Sequence, residues 1–309
     1  MLTLAASLLA VAFLELFARR SGVEPSWSVG SESWCLEALD LEPDGMALLG
    51  TSRMLSGVEP ELMSRLSGRR ARQLAINATS MLPVLEWLAA KEDFKGVVVA
   101  EVTPYLEFRV GTEWRATAER FKHDLGELGR SPARRVESVL SRFVQTRMAC
   151  RSPGFHLLAP YRDRQGPGVR RLAALTVEGS RFIRLNFQGT GEDPGGKEAG
   201  PEMGAPAAGA ALEKLMNRFV TAAQSIRRRG GRVVFLCMPV SGSVAEREDR
   251  AFPRDRFWDR LASSSGAESI HFRDHPALAS FTCPDGEHLD YEDALRFTWA
   301  LAEVLKAKP

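Results

Sequence analysis

Two rhythms alternate along this chain: short unbroken apolar runs, and longer stretches in which apolar residues recur at helical spacing. The run Gly45-Met-Ala-Leu-Leu-Gly50 reads as a first strand and residues 73–77 as a second. Gly96-Val-Val-Val-Ala-Glu-Val102 reads as a third, apolar on both faces as a strand buried between two helix layers must be. Residues 232–238 and 269–272 extend the series. Helices are predicted over 59–66, with Pro60 in the first turn, and over 82–90, with Pro83 in the first turn and Thr79 or Ser80 as cap. Further helices are predicted over 212–229, ending at Gly230-Gly231, over 257–263 and over 292–306. Strands separated by helices imply a parallel sheet covered on both faces, an α/β fold of three layers and flavodoxin-like kind.

Two stretches interrupt the alternation. From about 112 to 150 the chain is charged, with Phe121, Leu125, Leu128, Val136, Val139, Leu140 and Phe143 at helical spacings, and reads as a helical insertion. From about 188 to 211 it is rich in Gly, Pro and Ala and reads as a flexible loop without chemistry of its own. A third departure opens the chain, because residues 1–18 are apolar except for Thr3, Ser7 and Glu15. A helix of that length reaches roughly 27 Å, enough for a thin hydrocarbon core. No basic stretch precedes it and no small-residue cleavage site follows, so residues 1–20 are expected to be a membrane anchor and 21–309 a single domain. Arg19 and Arg20 complicate the orientation, since basic residues at the C-terminal flank favour holding that end in the cytoplasm.

Charge narrows the function classes. With 41 basic and 39 acidic residues among 309, the net charge is only +2, so a dedicated nucleic-acid partner is not expected. The basic stretches 69–72 and 227–232 sit at helix ends beside glycine, where they complement the helix dipole. Cys35, Cys150, Cys237 and Cys283 form no C-x-x-C pair, which argues against a zinc site. Cys237 reads as core, while the other three fall in or near loops and are open to pairing in an oxidising compartment.

In an open parallel sheet the chemistry gathers in loops at the carboxyl ends of the strands. Ser52 lies two residues beyond Gly50, after the first strand and ahead of a helix, where a serine can serve either as an N-cap or as a nucleophile facing a cleft. Before the last helix stands Cys283-Pro-Asp-Gly-Glu-His-Leu-Asp290. Its Asp285 and His288 are spaced so that the carboxylate can hold the imidazole and leave Nε2 to take a proton from a serine. The plainer reading is a polar turn, bent at Asp285-Gly286 and capped by Asp290. Arg53 is a candidate for binding an anionic group or for a salt bridge. His123 reads as a helix surface residue, and His271 and His275 are secondary candidates for lining the cleft.

A serine after the first strand together with D-x-x-H before the last helix resembles the SGNH (GDSL-like) hydrolases, over about residues 45–306 with two insertions. The resemblance implies a flavodoxin-like fold, Ser52 as nucleophile, His288 as general base and Asp285 as its orienting acid. Leu-Leu-Gly-Thr-Ser-Arg and the N-terminal apolar segment are most similar to a membrane-anchored branch that includes accessory proteins of alginate acetylation and teichoic-acid D-alanylation. That branch implies an esterase or acyltransferase acting on an O-acyl group, most often O-acetyl, of a cell-envelope glycan. It also implies attachment to a bacterial inner membrane, a body outside the cytoplasm, a protein partner in an envelope assembly and no cofactor. Members build the oxyanion hole from the serine N–H, a glycine N–H after the second strand and an asparagine after the third. Here Asn77-Ala-Thr-Ser80 follows the second strand, so an N–H of Ala78 or Thr79 is the expected donor, and Glu101-Val-Thr-Pro104 follows the third, leaving Asn77 or Thr103 to replace the asparagine. The departure also motivates a second reading, a degenerate member that binds glycan or a partner without turnover.

Overall fold

The computed structural model describes residues 2–109, 113–153, 155, 174–187 and 205–307. Its strands are β1 (Met46–Leu49), β2 (Ala71–Gln73), β3 (Val97–Glu101), β4 (Ala174–Val177), β5 (Ile183–Asn186), β6 (Arg232–Cys237) and β7 (Glu268–His271). Helices α1 (Leu2–Arg20), α2 (Ser31–Leu39), α3 (Ser52–Gly57), α4 (Pro60–Ser67), α5 (Leu82–Ala90), α6 (Pro104–Glu107), α7 (Glu113–Arg130) and α8 (Pro132–Gln145) precede the β4–β5 hairpin. After it come α9 (Gly209–Arg228), α10 (Gly242–Ala251), α11 (Trp258–Ser265), α12 (Pro276–Ala279) and α13 (Tyr291–Ala307).

Five strands form one sheet in the order β2-β1-β3-β6-β7, every neighbouring pair parallel. Counting these strands alone, the order is two-one-three-four-five, the flavodoxin-like layout. The chain steps one way from β1 to β2 and the other way from β2 through β3 and β6 to β7. Right-handed crossovers therefore put α4 on one face and α5, α9 and α11 on the other. Helix α5 packs on α9 and α9 on α11, while α13 packs on α3 and α4. All five residues of β3 are buried, as its two-sided apolar run requires.

Elements with strong periodicity lie close to their expected places, but three features differ. The second strand ends at Gln73, and the chain beyond it continues along β1 only through Leu74 N–H to the Leu48 carbonyl and Ile76 N–H to the Gly50 carbonyl. Residues 31–39, for which no helix is predicted, form α2, whose Ser33, Trp34, Cys35 and Leu36 are buried. Most of the expected flexible loop lies outside the described residues, and its last residues from Gly209 open α9.

The antiparallel hairpin β4–β5, like α2 and α10, is not disclosed by the hydrophobic pattern. Its turn residue Arg181 has φ +65° and is fully buried. The guanidinium donates to the carbonyls of Gln73 and Ala75 at 2.6 and 3.0 Å, to Val29 O at 3.0 Å and to Ser33 Oγ at 3.1 Å. It thus satisfies carbonyls at the edge of the sheet that would otherwise be buried unpaired. Burial pulls its pKa down to about 10, with Glu37 opposing, so it stays charged at neutral pH.

The N-terminal segment is helical as expected, yet among the described residues no helix is long and apolar enough to cross a membrane. The last turns of α1 carry Glu15, Arg19 and Arg20, and Glu15 accepts from Arg19 Nε and from the backbone N–H groups of Ala149 and Cys150. The base of the helix is therefore docked on the protein itself. Cys35, Cys150, Cys237 and Cys283 are all free, so the expected openness to pairing is not realised. Cys35 faces the core from α2 and Cys283 Sγ donates to the Pro239 carbonyl at 3.3 Å.

Candidate active site

β1 and β3 are neighbours whose chains leave in opposite directions along the sheet, which opens a crevice at their carboxyl ends. The turn after β1 begins at Gly50, whose φ of +153° favours glycine. A Cβ there would fall 2.5 Å from Glu101 Oε2 and 2.7 Å from Glu101 Cβ, so the turn packs directly on the end of β3. Glu101 is fully buried beneath it and accepts from Thr51 N–H at 2.8 Å, Thr51 Oγ1 at 3.0 Å and Thr103 Oγ1 at 2.5 Å. Thr51 in turn caps α3 through Arg53 N–H, which leaves Ser52 as the first helical residue, half-buried at the crevice.

The second half of the site comes from residues 283–290. Cys283 N–H donates to Ser241 Oγ, and Ser241 N–H donates to the Gly286 carbonyl, both at 2.9 Å, tying this loop to the one after β6. Gly286 has φ +89°, and a Cβ there would meet Val244 at 2.6 Å. The bend aims Asp285 back at its own loop, where Oδ1 accepts from the N–H groups of Glu287 and His288 at 2.9 and 2.7 Å. Asp290 accepts at the start of α13, from Glu292 N–H, and also from Phe187 N–H. The plain turn-and-cap reading of this loop is therefore correct as far as it goes.

It is also incomplete, because the loop meets the turn that carries Ser52. Asp285 Oδ2 lies 2.7 Å from His288 Nδ1, and His288 Nε2 lies 2.9 Å from Ser52 Oγ. Desolvation raises the Asp285 pKa, but the bonds from His288 and the two backbone N–H groups outweigh it, and the pKa is lowered. An ionised carboxylate only accepts, so Nδ1 carries the proton and donates it, and Nε2 is left to accept from Ser52 O–H. The three side chains form one chain able to take a proton off the serine oxygen and stabilise the imidazolium that results. Burial pushes the neighbouring Cys283 thiol up to about 12, so it stays protonated.

Arg53 settles as a structural ion pair rather than an anion site. It is 3% exposed, its Nη2 lies 2.5 Å from Glu248 Oε1 and 3.9 Å from Glu287 Oε1, and it stands over the Tyr105 ring. Burial favours the neutral form, but Glu248 and Glu287 together hold its pKa above the ordinary value. Through Glu287 it couples the residue after the serine to the residue before the histidine.

Of the expected oxyanion donors, Thr103 is displaced from that role: it is fully buried and its hydroxyl is engaged by Glu101 and lies 3.2 Å from Thr51 Oγ1. Asn77 and Ala78 are exposed in the turn after β2, with Ala78 at φ +50°, whereas Thr79 is buried and donates its hydroxyl to Asn77 O. Their loop is held by Glu107, fully buried, which accepts from Ser80 Oγ at 2.6 Å and Met81 N–H at 2.7 Å. Burial raises the Glu107 pKa to about 7 despite those bonds.

Sequence reasoning missed Glu101 and Glu107 as parts of the site. The one available signal was an acid closing an otherwise apolar strand at Glu101; Glu107 has none. His271 does not line the crevice as a base: it is buried between Trp258 and Phe272, and burial, reinforced by Arg254, lowers its pKa to about 4. His275 stands in the turn before α12, and His123 lies on α7 as expected. Among the described residues no group of His, Cys, Asp and Glu has the arrangement of a metal site. No protein-family model matches this chain, and none of the curated proteins is significantly similar to it.

Proposed function

We propose that the protein is a serine esterase or acyltransferase of SGNH type, acting on an O-acyl group of a cell-envelope glycan. The observation that carries the reading is the continuous Ser52–His288–Asp285 chain, made by residues 236 positions apart and open to solvent at the crevice. Ser52 Oγ attacks the acyl carbonyl carbon while its proton passes to His288 Nε2. The tetrahedral oxyanion is held by backbone N–H groups, for which Ser52 and the exposed Ala78 turn are the candidates. Collapse expels the sugar oxygen, which takes the proton back from His288 and leaves the acyl group on Ser52. Water, or a second sugar hydroxyl, then attacks the acyl carbon with its proton going to His288, the Ser52 Oγ–acyl bond breaks as Oγ takes that proton back, and the free acid or a new ester leaves. The chemistry requires no cofactor.

The acyl and glycan assignments rest on the sequence resemblance. The engagement of Thr103 by Glu101 favours the alternative of a binding protein on the same fold, because it removes one candidate donor from the oxyanion site. One experiment separates the two. The folded protein is treated with a fluorophosphonate probe and the labelled peptide identified by mass, with Ser52→Ala and His288→Ala as controls. Labelling at Ser52 that requires His288 is the expected result, and a folded protein that stays unlabelled means the binding reading is correct.

We further propose that α1 attaches the protein to a membrane without spanning it. From Thr3 to Phe13 the helix is exposed on every side, and its apolar residues leave no broad polar face for water. That stretch reaches roughly 16 Å at 1.5 Å per residue, into one leaflet of a hydrocarbon core about 30 Å thick.

A further inference from the structure

Helix α8 is mounted inside out. Val136, Val139, Leu140 and Phe143 recur three and four residues apart and so share one face, the pattern by which a helix normally packs on a core. Here that face points to solvent, with exposures of 59, 42, 58 and 55%, while the residue buried in the helix is Ser138, at 4%. The polar side is held against α2 by ion pairs, Arg142 to Glu37 and Arg135 to Asp40. Val136, Leu140 and Val144 line an open groove of about 470 Å³ together with the polar Glu137, Ser141 and Arg151.

The stripe is continuous with the base of α1. Helices α1 and α8 both contact the turn Ala149–Arg151, Arg19 donates to the Arg147 carbonyl at 3.0 Å, and the Arg147 guanidinium covers the Phe143 ring. Of the five arginines between 132 and 151, Arg135 and Arg142 are engaged with α2, and Arg134, Arg147 and Arg151 stand beside a single acid, Glu137. An exposed apolar stripe edged with arginine, beside an apolar helix that leaves the body, has the chemistry of a surface lying at the headgroup and acyl boundary of an anionic bilayer.

We propose that α8 lies in the plane of a lipid bilayer, with Val136, Val139, Leu140 and Phe143 among the acyl chains and Arg147 and Arg151 at the phosphates. This rests on the proposed attachment through α1 and adds to it a second contact that fixes how the body sits on the membrane. The bound face sets the direction in which the Ser52 crevice opens.

The test uses the full chain with phosphatidylcholine vesicles that contain a minority of phosphatidylglycerol. Phe143→Trp, compared with the parent, places one added indole on the stripe, and brominated lipid is expected to quench that added emission. Leu140→Asp with Phe143→Asp, both at exposed positions, is expected to leave melting unchanged and to lower vesicle partition by about tenfold, since two large apolar groups no longer enter the lipid. If the protein floats with vesicles but the added emission is unquenched and the double variant floats equally well, α1 attaches the protein and the α8 proposal is overturned. If the parent does not float at all, the attachment reading falls with it. Concentration-dependent dimerisation without lipid, abolished by the double variant, would assign the stripe to a second copy of the chain and likewise overturn the proposal.

Discussion

At the scale of single residues, the site depends on carboxylates that do different work. Asp285 stays ionised and fixes the His288 tautomer, so Asp285→Asn is expected to preserve the fold and slow probe labelling at Ser52 by about 10³–10⁴-fold. Glu101 hydrogen-bonds neither Ser52 nor His288 and acts as a positioning residue, holding the backbone just before Ser52. Glu101→Ala leaves Thr51 N–H and one of the two buried threonine hydroxyls without an acceptor, at a cost of about 2–4 kcal/mol, read as a lower denaturant midpoint. Ser52, Asp285 and His288 were legible because their spacing and loop positions carry a recognisable pattern. Glu101 was not, because an acid at the end of a strand takes its meaning from the threonines brought to it from two separate loops.

At the scale of elements, the Ser52 turn and the β4–β5 hairpin show what short polar segments do. The turn is a tight passage between β1 and α3, where Gly50→Ala introduces both an unfavourable φ and a collision with Glu101. We expect that substitution to cost about 2–4 kcal/mol and to lower labelling at Ser52 in step with the loss of the turn, as thermal melting and probe kinetics on one sample would show. The hairpin pins its turn into the core through Arg181. Arg181→Met strips the carbonyls of Gln73, Ala75 and Val29 of their donor and is expected to cost about 3 kcal/mol in urea unfolding. Helices with continuous apolar periodicity, such as α5 and α13, were legible, as was the strand run of β3. The hairpin was not: its burial comes from contact with residues 26–27, 33 and 73–75 rather than from an apolar pattern of its own.

At the scale of the whole molecule, the sheet order decides where chemistry can sit. Loops from the first and last βα units, 236 residues apart, meet at the switch between β1 and β3. Burial on that scale also makes stability depend on pH through Glu107. Its folded pKa of about 7 lies above the ordinary 4.5, so the folded state binds one more proton than the unfolded state between those values. Stability from this group is full below about 4.5, falls as pH rises and is lost above about 7, a change on the order of 3 kcal/mol. Glu107→Gln, neutral throughout, is expected to flatten the slope of unfolding free energy over that interval.

The sequence by itself determined the α/β class, most strands and helices, the helical insertion and the three residues of the Ser52–His288–Asp285 chain. The elements follow from periodicity and turn chemistry, which are local properties of neighbouring residues, and the three side chains from the resemblance of their placement to the SGNH pattern. Tertiary structure alone decided that Arg53 pairs with Glu248, that Thr103 serves Glu101 instead of the crevice, that the cysteines stay apart and that α8 presents its apolar face to solvent. Each of these depends on which distant group arrives within a few ångströms and on whether water is excluded there, and neither is written in the spacing of residues along one segment.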